Sequence, residues 1–463
     1  FQMLVKLLLC AVFVVLTSLL GSVNCDVIPT APSTPHPRFF AQLPAVKSAW
    51  ASLKGATTQP AQGWYQYLQN HAASDPAIGS PNSAWLTHHT ITMYQITGDA
   101  SWAVLAWKGV QQNFIDFAAS DPTFGGENNA RVIVDIWIDT YDWIYTNLTT
   151  QQKTQFRTTL DSLIDYIFLK SSSGCCTFNT YDSWPIRTTD NDVLLHDYFA
   201  LLKWYVASGD ESTYIHDRYL ANSSMNIGGF TSANASFPAP PGGKCANGCF
   251  LDQQGWSPLL SPNLRTAVAA MFQYYYPGGG SWYPSGYMLE GVQSRVAYDW
   301  AALYSALGTD YFPEVGDTIL KFAMKMVMMT TNDGQWMYRW SDDEVGYGGQ
   351  TALYNTLGVM AATTSWFTTD VRQQYIWFLM SQLLANNPGM EPYDEFFFAF
   401  QYTPSLPGQS IAAATAAGNL TLGEFGWDME GLGSYHTGWT AQDSTFFFEF
   451  EVNCILSLFF FSF

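Results

Sequence analysis

Charged side chains are scarce in this chain. Asp, Glu, Lys and Arg make up only 12% of its 463 residues, about half the usual share. Basic residues are scarcer still: 19 Lys and Arg stand against 38 Asp and Glu, a formal net charge of -19. That excludes a nucleic-acid partner, whose phosphates need a basic face. Past the N-terminus there is no apolar run long enough to span a bilayer. Cysteine is sparse too, at seven residues. Cys175, Cys176, Cys245 and Cys249 fit no strong metal-ligand spacing, so two disulfides are the preferred reading. No metal and no cofactor are expected, and a structural zinc or calcium ion has no support. Hydrophobic residues reach 48% and aromatic residues 16%. Trp and Tyr suit stacking on sugar rings, but most of them are expected in the core.

Residues 1–25 read as a signal peptide. Lys6 supplies the positive start, Leu7 to Leu20 the apolar stretch, and Val23-Asn24-Cys25 a small-residue cleavage site. Sequons for N-glycosylation stand at Asn147, Asn222, Asn234 and Asn419. The expected location is therefore extracellular, with no stable membrane insertion after signal removal. The chain begins with Phe1 rather than Met and ends in a Phe-rich tail, Phe446 to Phe463. Both features fit an incomplete gene product, and buried strands are the other reading of the tail.

The clearest local pattern runs from Val132 to Phe168. Ile136, Trp137, Ile138, Tyr141, Trp143 and Ile144 leave a helix apolar on most sides, which predicts burial on most sides. After the break at Thr146-Asn147-Leu148, Thr149 and Gln152 have the spacing of a capping box. The next helix carries one apolar stripe: Phe156, Leu160, Leu163, Ile164, Ile167 and Phe168. An inner helix hairpinned to an outer one is the repeating unit of a helical toroid. Such rings frame a groove that can hold an extended polymer.

Helical patterns recur in pairs along the chain: 64–71 with 85–97, 100–118 with 130–145, and 151–169 with 191–207. Others cover 264–275, 293–307, 311–329, 349–362 and 369–384. Gly98 and Gly209 sit at hairpin turns as helix C-caps. Nothing strand-like precedes about residue 395; Phe396 to Tyr402 and Phe446 to Val452 then read as strands. The expected architecture is mostly α: an incomplete (α/α) toroid of about five or six hairpins over 26–390, then the start of a β-sandwich domain over 391–463.

Several segments resemble the heparinase II/III-like polysaccharide lyases and related alginate lyases. They are His36-Pro37-Arg38-Phe39-Phe40, Gln95 to Asp99, Thr140 to Tyr145 with Leu148-Thr149, Arg187 to Asp192, Glu290-Gly291, and Ser434-Tyr435-His436 with Gln442 to Phe446. The resemblance covers about residues 36 to 450 and implies a C-terminally truncated member. Only the start of the family's large β-sandwich is expected, and a second His beside His436 is missing. His436 and Asp443 are expected as remnants of that domain's site.

The implied reaction is β-elimination at a uronic acid in an acidic polysaccharide substrate. It needs a neutraliser for the carboxylate, a base for the adjacent proton and an acid for the leaving oxygen. Asn191 is the first candidate neutraliser, at the start of an inner helix; a plain N-cap is the alternative. His196 lies i, i+4 from Asp192 as an oriented base or a core histidine. Arg295 and Tyr298 share a helix face, so Arg295 is expected to lower the Tyr298 pKa; the alternative pairs Arg295 with Asp299 on the surface. Glu290 is expected to orient them. Arg187, Trp340, Tyr347 and one of His88 and His89 are candidate substrate-binding residues. Adjacent His88 and His89 point about 100° apart and cannot chelate one metal together. A glycoside hydrolase on the same scaffold would instead use two carboxylates among Glu290, Asp342, Asp343 and Glu344. A non-catalytic carbohydrate-binding relative is the third reading.

Overall fold

The structure is a computed structural model. It describes residues 34–39, 41–59, 61–73, 83–119, 127–169, 192–209, 211–212, 294–310, 312–331, 349–367, 370, 372–386, 423–425, 432–436 and 444–449. In chain order the helices are α1 Pro44–Lys54, α2 Ala61–Ala73, α3 Ser83–Thr97, α4 Ala100–Ala119, α5 Glu127–Ile144, α6 Thr150–Leu169, α7 Asp192–Ser208, α8 Ser294–Leu307, α9 Pro313–Met328, α10 Gly349–Ser365 and α11 Arg372–Asn386. The strands are β1 Gly423–Phe425, β2 Leu432–His436 and β3 Thr445–Glu449.

The helices form two rows. The inner row runs α3, α5, α7, α8, α10, each packed on the next. The outer row is α2, α4, α6, α9 and α11, packed on inner partners. This is a mostly α, incomplete toroid-like arrangement. The predicted helix pairs are all present where residues are described; α1 was not foreseen, although Pro at its first turn marks its start. The predicted segment 264–275 lies outside the described residues.

Burial follows the sequence pattern. On α5, Val134 through Ile138, Tyr141, Trp143 and Ile144 are buried, and so are Asp135, Asp139, Thr140 and Asp142. A helix buried all round must find partners for its polar groups within the protein. On α6 only one stripe is buried: Phe156, Leu160, Leu163 and Ile164. Each such side chain contributes roughly 1.5–3 kcal/mol of burial. The α6 capping box is formed. The Thr149 amide donates to Gln152 Oε1 at 2.7 Å, and the Gln152 amide donates to Thr149 Oγ1 at 3.3 Å.

The turn from α3 to α4 is also as the residues dictate. Gly98 has φ +71° and its amide donates to the Tyr94 carbonyl at 2.8 Å, a left-handed C-cap that glycine takes without strain. Asp99 then accepts from the Ser101 amide at 2.9 Å and caps α4. After the helices, β1, β2 and β3 form an antiparallel meander. The strand expected from Phe446 is observed as Thr445–Glu449; the one expected over 396–402 lies outside the described residues.

Candidate functional site

Lys203 is a lone charge on the last turns of α7, in a run where Phe199 through Ser208 are almost all buried. Its Nζ lies 3.2 Å from Asp135 Oδ1, 3.2 Å from Asp139 Oδ1 and 2.9 Å from Asp299 Oδ1. The first two aspartates sit i, i+4 on α5; the third is on α8. Tyr298, also on α8, donates its hydroxyl to Asp139 Oδ2 at 2.8 Å. From α3, His88 Nε2 stands 3.4 Å from the same Oδ2. Four consecutive inner helices thus meet at one polar cluster. Arg295 begins the α8 contribution one turn before Tyr298 and adds its field to the cluster. All seven side chains belong to residues at most 8% exposed.

Burial sets the electrostatics. It raises the pKa of Asp135 and Asp139 above the ordinary carboxylate value, against the pull of Lys203. Asp299 is pushed well above it, first by burial and then by Asp135. Burial alone would depress Lys203, but the three carboxylates outweigh it and raise the ammonium pKa. His88 is held well below its ordinary value by burial, then by Lys203 and Arg295, so the ring is neutral. Three carboxyl groups thus meet one ammonium, with the Arg295 field beside them, and such pairing is how buried charge survives in a low dielectric.

Tyr298 corrects one expectation. Its pKa is raised well above the ordinary phenol value by burial and by Asp139; Arg295 does not lower it. The carboxylates closest to the hydroxyl favour the neutral phenol. Nor does Arg295 pair with Asp299 at the surface: Asp299 is fully buried and holds Lys203. The adjacent histidines diverge as their spacing requires. His88 joins the cluster, while the His89 ring lies 5.4 Å from His71 and 6.3 Å from Tyr67.

Of the other candidates, His196 lies on α7 beyond Asp192, with its side chain outside the description. Asn191, Glu290, Arg187, Trp340 and Tyr347 lie outside the described residues. The structure therefore brings together Tyr298, Arg295 and His88, and adds Asp135, Asp139 and Lys203, which sequence reasoning did not single out, and Asp299, which it named only as a surface partner for Arg295. The signal was present. Single charges inside all-apolar helices have to meet each other, and Asp135 and Asp139 share a face by spacing. Among the described residues no group of three or more His, Cys, Asp or Glu is set to hold a metal ion. Where three carboxylates do converge, the Lys203 ammonium lies between them.

A second polar group ties the opening segment to the row. His36 Nδ1 lies 2.6 Å from Asp142 Oδ1. The backbone amides of Arg38 and Phe39 donate to Asp142 at 2.9 and 3.0 Å. The Arg38 guanidinium donates to the Val206 and Ala207 carbonyls at 2.7 and 3.1 Å, closing the end of α7. The His36 ring stacks on Tyr145 at 3.8 Å. Tyr141, Tyr145 and Arg157 all donate to Glu211. The motifs His36-Pro37-Arg38 and Tyr141-Asp142-Trp143 are thus two halves of one joint.

No protein-family model and no curated protein matches the chain. Among solved structures, heparinase III matches over 82% of this chain at 10% identity and a TM-score of 0.42. The match takes in 46% of the heparinase III chain, so this chain spans about half of that length.

Proposed function

We propose that the chain is a secreted polysaccharide lyase that cleaves a uronic-acid-containing polysaccharide by β-elimination along the inner row of its helices. The observation that carries this reading is the placement of His88, Asp139, Lys203 and Tyr298 on four consecutive inner helices. Tyr298 stays protonated at neutral pH, which suits it to donate to the leaving glycosidic oxygen rather than to abstract a proton. Arg295 supplies positive charge for a uronate carboxylate, and Lys203 holds the aspartates of the cluster in place. In this reading Asn191 neutralises that carboxylate, His196 takes the adjacent proton, and Glu290 orients Arg295 and Tyr298. Arg187, Trp340, Tyr347 and His88 or His89 hold the polymer.

A non-catalytic carbohydrate-binding protein is the second reading. It is favoured by the 1% exposure of Tyr298 and the commitment of its hydroxyl to Asp139. The test is a panel of uronic-acid polymers followed by ultraviolet absorbance. Lyase products carry a conjugated double bond; hydrolysis gives new reducing ends without it. The lyase reading expects absorbance that Tyr298→Phe lowers at least about 100-fold, the usual contribution of a proton-transfer group, with polymer retention on an affinity gel unchanged. Retention with neither product supports the second reading. Full activity in Tyr298→Phe removes Tyr298 from the chemistry.

A further inference from the structure

The turn between α5 and α6 holds the sequon Asn147-Leu148-Thr149, and its three side chains have separate tasks. Leu148 is buried at 8% exposure and packs into the core. Thr149 caps α6. Asn147 alone of the three turns its side chain outward for a partner on another helix. It is exposed, and its Nδ2 donates to the Tyr94 hydroxyl at 2.5 Å and to Thr146 Oγ1 at 3.5 Å. Tyr94 is half-buried on the last turn of α3, its ring packed against the core. The other three sequons lie outside the described residues.

We propose that Asn147 carries an N-linked glycan whose first N-acetylglucosamine lies against the Tyr94 ring. The proposal rests on the reading of the chain as a secretory protein and not on the lyase reaction. In the transfer, Asn147 Nδ2 attacks C1 of a lipid-diphosphate-linked oligosaccharide. The Nδ2–C1 bond forms, the C1–oxygen bond to the diphosphate breaks, and Nδ2 loses one proton as the lipid diphosphate leaves. One N–H remains on the nitrogen and keeps the bond to Tyr94. The exposed turn leaves the sugar in solvent, so the modification costs no buried hydrogen bond. An aromatic ring held beside the attachment point gives the first sugar an apolar face to pack on.

The full chain, made in a eukaryotic host behind a heterologous leader, reaches the secretory pathway whatever its own N-terminus does. Export with the native N-terminus is scored separately, so failure of the secretory reading stays distinct. The exported protein is treated with peptide-N-glycosidase in heavy-oxygen water and digested with trypsin. The peptide 132–153 contains one asparagine, Asn147. Heavy aspartate at 147 is expected, and its loss in Asn147→Gln. Unmodified Asn147 in exported protein overturns the site. Enzymatic glycan removal should lower the thermal midpoint by about 1–2 °C, the small shift that one lost surface contact makes in a chain this large. In Tyr94→Ala that shift should vanish. An equal shift in both overturns the Tyr94 contact.

Discussion

Replacing Lys203 by Met tests the charge balance of the buried cluster. Met keeps most of the volume of the stem and removes the ammonium from three carboxylates at 2.9 to 3.2 Å. In the parent, burial raises all three aspartates above the ordinary carboxylate value while Lys203 pulls them back. The substitution takes the ammonium partner away from these buried carboxyl groups, a loss of about 3–5 kcal/mol. Urea unfolding followed by circular dichroism reads it as a lower midpoint at pH 7. The pH dependence has a definite sign. Aspartates whose folded pKa is raised bind more protons folded than unfolded, so the variant gains stability as pH falls toward the unfolded carboxylate value and loses it as pH rises. Lys203→Met with Asp135→Asn removes one of the carboxylates left without the ammonium and should recover part of the loss. A variant Lys203→Met within about 1 kcal/mol of the parent, far from the cost of a broken buried pair, refutes the reasoning. So does a double variant no more stable than the single.

Asp142→Ala removes the acceptor for the His36 ring and for the Arg38 and Phe39 amides. It should cost about 3 kcal/mol, read as faster amide exchange at residues 38 and 39. Thr149→Ala deletes the cap on α6 and should cost about 1 kcal/mol, seen as a lower thermal midpoint. Glu211 is held below the ordinary carboxylate value by Tyr145, Tyr141 and Arg157, which together outweigh its partial burial. Its stabilisation is therefore present above the unfolded carboxylate pKa and lost as pH falls through the folded one. Glu211→Gln should flatten the acid limb of a midpoint-against-pH curve, and an unchanged limb would rule Glu211 out.

Helices were legible wherever one local signal decided them. Thr149 with Gln152 located the start of α6, and the stripe from Phe156 to Ile164 located its buried face. Gly98 located the α3–α4 turn. The order of the two rows followed from α5 being apolar all round and α6 on one face. The cluster was only half legible. Tyr298 and His88 stand out by residue type, because their side chains belong to familiar proton-transfer chemistry. Lys203 and the three aspartates do not, since their meaning arises only when α5, α7 and α8 come together across long sequence separations. The direction of the Tyr298 shift failed for the same reason. Arg295 is its neighbour in sequence, but Asp139, 159 residues away, holds its hydroxyl.

A row of helices apolar on nearly every side has little to fix how far one slides along another. Ridges of similar aliphatic residues pack in several registers at similar energy. A buried ammonium bound to carboxylates on both neighbouring helices favours one register: a shift of one turn, about 5.4 Å, along α8 would part Lys203 from Asp299, and the same shift along α5 would leave it one of the two i, i+4 aspartates. Lys203 does this for α5, α7 and α8, and Asp139 extends it to α3 through His88. Such a network contributes little net stability compared with an apolar core of the same shape, but it raises the energy of each misaligned alternative by several kcal/mol. The same lock fixes the Tyr298 hydroxyl, which donates to Asp139 at 2.8 Å, so a side chain from α8 is positioned by a residue of α5.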